Sequence, residues 1–113
     1  MKINSYTKGD VTIVEPEGKL MLTRDVHQLD DALDALLEKG EKKAVLDLHK
    51  TAWISSAAIS TFLDYRGKFK DAGGALKLAN LTPEVQEVIA LTKLSSTFEI
   101  YDGLEAAIQS FKD

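Results

Sequence analysis

The run Ala44-Val45-Leu46-Asp47-Leu48 constrains this chain more than any other stretch. It is short and almost continuously apolar, the mark of a strand covered on both faces, and such a strand belongs to a parallel sheet with helices packed on it. A second run of this kind, Ala75-Leu76-Lys77-Leu78-Ala79, lies further on. Between them Ile59, Phe62, Leu63, Arg66 and Phe69 outline one face of a helix, which Ala72-Gly73-Gly74 closes. Strand, helix and strand in that order require a right-handed crossover.

The flanking segments extend the pattern. Ile3–Thr7 and Val11–Val14 read as a hairpin over the turn Lys8-Gly9-Asp10. Val26, Leu29, Leu33, Leu36 and Leu37 recur at helical spacing, with Thr23 placed to cap the helix and Gly40 to stop it. Thr82-Pro83-Glu84-Val85 is a strong helix start: a capping hydroxyl, a proline in the first turn and a carboxylate at the positive end of the dipole. Phe98–Tyr101 reads as a last short strand, and Asp102-Gly103-Leu104-Glu105 as a capping box opening a helix through Ala106, Ile108 and Phe111. The expected order is ββαβαβαβα, an α/β fold with a mainly parallel sheet, an antiparallel N-terminal strand and covering helices. A chain of 113 residues holds one such domain, over 1–113.

Composition narrows the function. A formal charge of −4 without a basic cluster argues against nucleic-acid binding. With no cysteine there is no disulfide and no thiolate chemistry. No run approaches the roughly 18 apolar residues of a membrane span, and a soluble, cytoplasmic protein is expected. Asp30, Asp31 and Asp34 read as a solvated helix face, His27 as an exposed residue, and Gly73-Gly74 as a turn instead of a phosphate cradle. No metal site and no cofactor is expected. His49 follows the buried strand in the loop Leu48-His49-Lys50-Thr51, within approach of two serines. Those serines lack a G-x-S-x-G elbow, so an enzyme is a poor fit.

The serines stand in AWISSAAISTF, residues 52–62, where a strand gives way to a helix without a glycine. A serine at that point caps the helix and contributes about 1 kcal/mol. That explains one hydroxyl. A second, at the positive end of the helix dipole, sits where a phosphate is tolerated, and phosphorylation there adds roughly −1.5 to −2 charges. Trp53 reads first as a cover for the core beneath the loop, whereas an exposed indole would suit an interface anchor.

Together, Val45-Leu46-Asp47-Leu48, Trp53-Ile54-Ser55-Ser56-Ala57-Ala58-Ile59, the stretch Gly73–Val85, Leu91-Thr92-Lys93-Leu94 and Phe98-Glu99-Ile100-Tyr101 resemble a STAS domain of the bacterial anti-sigma factor antagonist type, over nearly the whole chain. The resemblance implies the same ββαβαβαβα fold and a partner-switching role in transcription. Proteins of this kind bind an anti-sigma factor that is also a serine/threonine kinase of the GHKL ATPase type, and so release a sigma factor. The kinase phosphorylates the antagonist and a PP2C-type phosphatase restores it. The usual pattern, Asp-Ser-(Ser/Thr)-Gly-Leu, falls on Ser55-Ser56-Ala57-Ala58-Ile59. It implies Ser56 as phosphoacceptor, with Ser55 as second choice, and Trp53, Ser55, Ser56, Ala57 and Ala58 as the contact surface of a protein that is a monomer when free. Ser55 in place of the aspartate lessens repulsion of a phosphate but removes a hydrogen-bond acceptor; Ala58 replaces a glycine whose small size lets a partner backbone approach. The alternative is a constitutive STAS subunit of a signalling or lipid-transport ATPase complex, without the switch.

Overall fold

The computed structural model describes residues 1–112. Its elements are β1 (Lys2–Lys8), β2 (Val11–Leu20), α1 (Thr23–Glu38), β3 (Lys43–Asp47), β4 (Thr51–Ile54), α2 (Ser56–Asp71), β5 (Ala75–Ala79), α3 (Pro83–Leu91), β6 (Ile100–Tyr101) and α4 (Leu104–Gln109). β1 and β2 form the expected antiparallel hairpin, from Lys2 opposite Glu17 to Lys8 opposite Val11. The remaining pairings are parallel, in the order β1-β2-β3-β5-β6.

One strand more is present than the sequence pattern predicts. β4 pairs in parallel with the far half of β2, Lys19 opposite Trp53 and Leu20 opposite Ile54, while the near half of β2 pairs with β3. The register shifts between Gly18 and Lys19, where Gly18 takes φ 108°, so one long strand serves two partners. Within β4, Thr51 and Ile54 are buried and Ala52 and Trp53 exposed. Four residues with that pattern carry too little alternation to stand out from a loop. The last strand is also shorter than expected: Phe98 lies outside it, packed edge-on against Phe62 at 6.3 Å between ring centroids.

The two faces of the sheet differ. One carries Val14, Leu46 and Leu78 into a large core with Leu29, Leu33, Phe62, Phe69 and Ile89 from α1, α2 and α3. The other carries Ile13, Val45 and Ala79 into a small cluster with Ala107 and Ile108 of the short α4. Because strand side chains alternate, Glu15, midway along β2, and Asp47, at the carboxyl end of β3, share this thinly covered face. Tyr6, paired with Ile13, stands there too, and its phenol is held above its ordinary pKa by burial first and then by the negative charges of Glu15 and Asp47.

The helix ends follow local chemistry. Gly40 (φ 81°) stops α1, with Glu41 N–H donating to Leu36 O (2.9 Å) and Gly40 N–H to Leu37 O (3.1 Å). Thr82 caps α3 as expected, its Oγ1 accepting from Val85 N–H (3.4 Å) and donating to Thr51 O (3.0 Å). Two expected caps do not form. Thr23 is the first residue of α1 and Leu22 its side-chain-free cap. Gly103 is the cap residue of α4, which shifts Asp102 out of the capping position, so that box is not built. The acidic group on α1 is only partly a solvated face: Asp34 accepts a hydrogen bond from the buried Tyr65 phenol at 2.6 Å, tying α1 to α2. Burial first, and then Asp34, raise the pKa of that phenol.

Candidate partner-docking site

β4 leads straight into the serine pair. Ile54 is buried and Ser55 N–H donates to Leu20 O (2.8 Å), which ties the junction to the end of β2. Ser55 is extended (φ −91°, ψ 170°) and is the cap of α2: its Oγ accepts from Ala58 N–H at 3.2 Å, and its carbonyl accepts from Ile59 N–H at 3.1 Å. The turn needs no glycine because every residue in it keeps a negative φ.

Ser56 is the first residue of α2 and is exposed; no side-chain hydrogen bond among the described residues engages its hydroxyl. The structure thus divides the two serines between two tasks. One holds the helix, the other faces solvent. No acidic residue lies in the first turn of α2, so the helix dipole and the unpaired N–H groups of that turn favour an anionic group placed there.

The two segments that meet at this junction carry exposed apolar side chains. Trp53 is 38% exposed, which overturns its reading as a core cover: its position in β4 turns the indole outward while Ile54 turns in. Met21 and Leu22, which follow Leu20 at the tether to Ser55, are 46% and 53% exposed. They were not singled out in the sequence, where the run Leu20-Met21-Leu22 looks like any apolar lead into a helix. Ala57 is exposed, but Ala58 is fully buried, because the third position of the helix faces the core. Ala58 therefore backs the site and shows no side chain to a partner. His49 does not reach the serines in any hydrogen bond; its Nδ1 lies 2.7 Å from Asp47 Oδ1. His27 is exposed on α1, as expected.

The sequence matches the STAS domain over residues 2–107. The chain belongs to the STAS domain family. Within it the chain falls with the anti-sigma factor antagonists, a group of regulators and not of enzymes. It is 35% identical over 88 residues to BtrV of Bordetella bronchiseptica, a candidate anti-sigma factor antagonist, covering 78% of this chain and 76% of that protein. Two solved structures share the fold. An anti-sigma factor antagonist from Mycobacterium paratuberculosis superposes with a TM-score of 0.88 at 20% identity, over 99% of this chain and 94% of that one. The unphosphorylated form of the anti-sigma factor antagonist SpoIIAA gives 0.81 at 15% identity, over 96% and 95%. In this STAS domain the serine pair lies where parallel α/β sheets place their sites, at the carboxyl end of strands and the start of a helix. No helix among the described residues is long and apolar enough to cross a membrane.

Proposed function

We propose that this STAS domain is an anti-sigma factor antagonist that docks a serine-kinase anti-sigma factor through Ser56, Ala57, Trp53, Met21 and Leu22, and that phosphorylation of Ser56 releases it. Its setting would be the cytoplasm, with a PP2C-type phosphatase resetting the serine. The observation that carries this reading is the division of labour in the pair: Ser55 Oγ is committed to the helix cap and the Ser56 hydroxyl stands exposed, while the segments that lead to the junction and pair with it expose three large apolar side chains. A neutral hydroxyl at such a junction suits a protein interface; a dianionic phosphate in the same place carries its solvation shell into that interface and opposes it. The phosphate stays compatible with the fold, since it sits at the positive end of α2.

The test is incubation with ATP and a GHKL-type serine kinase, followed by mass spectrometry. Stoichiometric phosphate on Ser56, with loss of kinase binding, supports the switch. Absence of phosphate with binding intact supports the second reading, a constitutive interaction subunit, which is favoured by the serine that stands where an acidic neighbour belongs.

A further inference from the structure

The thinly covered face of the sheet holds a second constellation, separate from the serine pair. The parallel register sets Val14 opposite Leu46, which brings Glu15 beside Asp47, and the chain then turns so that His49 folds back on Asp47. One donor atom from each of Glu15, Asp47 and His49 lies within 4.8 Å of the others. Asp47 is 2% exposed, an unusual burial for a carboxylate. Its Oδ1 accepts three hydrogen bonds: from His49 N–H (3.2 Å), from His49 Nδ1 (2.7 Å) and from Asn80 Nδ2 (3.2 Å). Its Oδ2 takes none among the described residues. Asn80 is held for this contact in the left-handed region, φ 55°, a conformation that costs most residues energy.

Charge is out of balance here. Two carboxylates face one imidazole, and among the described residues neither of them pairs with a lysine or arginine. A carboxylate fixed by hydrogen bonds at one oxygen, with its other oxygen reached by solvent beside a second carboxylate, is stabilised by a cation. The donor set decides which kind. One imidazole and two carboxylates suit zinc and its neighbours, which accept nitrogen and oxygen together in a four-coordinate shell; magnesium and calcium call for oxygen donors and more of them. Zinc bonds of about 2.0–2.2 Å require the donors to close to roughly 3.3 Å. The half-exposed His49 and the partly exposed Glu15 are free to make that adjustment around a fixed Asp47. His49 also lines an open depression of about 310 Å³ with Lys50, Thr51, Ala52, Thr82 and Glu84, so its ring is reached from solvent.

We infer that Glu15, Asp47 and His49 form a binding site for a divalent transition ion of the zinc type, completed by water, that pins the β3–β4 loop to the middle of β2 and the carboxyl end of β3. Asn80 acts as the positioning residue, holding Oδ1 so that Oδ2 points outward. The loop it pins feeds β4, the strand that leads into Ser55. The site stands on its own geometry and does not depend on the docking function.

Isothermal titration of ZnCl2 into the untagged full chain tests it, with MgCl2 as the contrast. The expected result is one zinc per chain, affinity falling about tenfold or more in Glu15→Gln and in His49→Ala, no change in His27→Ala, and no response to magnesium. A rise in melting temperature with zinc should appear in the wild type and vanish in those two variants. Cobalt(II) provides a spectroscopic check: its intense visible bands mark a four-coordinate site and should be absent in His49→Ala. Both substitutions fall on accessible side chains, and an unchanged melting temperature without metal shows that the variants fold. Absence of one-to-one binding, zinc binding that survives both substitutions, or an equal response to magnesium overturns the inference.

Discussion

The two ends of α2 are closed by the same kind of local hydrogen bonding and yet are built for opposite purposes. At the C-terminal end Gly73 takes φ 93°, Gly74 N–H donates to Phe69 O (2.9 Å) and Gly73 N–H to Lys70 O (3.0 Å), and the chain passes directly into β5 with Ala75 N–H bonded to Lys42 O (2.9 Å). At the N-terminal end Ser55 closes the helix with a single side-chain bond and Ser56 is left exposed. The first end is fixed by a close steric approach to neighbouring backbone; the second is fixed by its own cap and by one backbone bond, Ser55 N–H to Leu20 O. Steric fit belongs where the fold must not move, and a lone hydroxyl cap belongs where a surface has to accept a change of charge.

The largest effect should come from breaking the tight end. A Cβ on Gly74 would run into the carbonyl group of Lys42, and backbone cannot step aside as a flexible side chain does. Gly74→Ala should therefore lower stability by about 3 kcal/mol, read from urea unfolding. A loss below about 1 kcal/mol would show that the Lys42–Gly74 approach is loose. At the other end Ser56→Asp should do the reverse: weaken binding to the serine kinase by about tenfold or more, about 1.4 kcal/mol, while leaving unfolding within about 0.5 kcal/mol of wild type. Unchanged kinase affinity would remove the switch from that end of the helix.

How far these ends were legible depends on whether a periodic pattern reached them. The hairpin, α1, β3, α2, β5 and α3 each repeat their period long enough to be read, and the glycine stops at Gly40 and Gly73 were visible as such. β4 was not, because four residues hold only one alternation and its partner is the far half of a strand already paired. That two serines shared one cap was legible; which of them capped was not, since it turns on one residue's φ and ψ. Met21 and Leu22 carry no signal of exposure, because an apolar residue beside a helix start is ordinarily inside. The Glu15, Asp47 and His49 group is scattered along the chain and becomes a group only through the parallel register of β2 and β3. Gly74 was readable as part of a turn, but its close approach to Lys42 is a tertiary fact with no local sign.

A smaller change sharpens the contrast within the serine pair. Ser55→Ala removes the bond to Ala58 N–H and should cost about 1 kcal/mol of stability, yet leave phosphate incorporation at Ser56 intact. If incorporation is lost while circular dichroism shows α2 still formed, then Ser55 is the acceptor and the assignment of the two hydroxyls must be exchanged.

The smallest expected effect lies at the end of α3, which closes as α2 does but without a glycine. Leu94 N–H donates to Ile89 O (3.2 Å) and Lys93 N–H to Ala90 O (3.0 Å), the same pair of bonds that Gly74 and Gly73 make, and Lys93 holds φ 62° to make them. The left-handed conformation costs a lysine about 1–2 kcal/mol relative to its preferred regions. Glycine escapes that cost but gains freedom in the unfolded chain worth about 0.4–1 kcal/mol, so the two terms partly cancel. Lys93→Gly should raise stability by about 0.5–1 kcal/mol, seen as a higher urea midpoint at constant slope. Because Lys93 is exposed and makes no ion pair among the described residues, there is no lost contact to set against the gain. A destabilised variant would mean that the α3 end is held by something other than its backbone bonds, and the likeness to the glycine end of α2 would then be one of geometry alone.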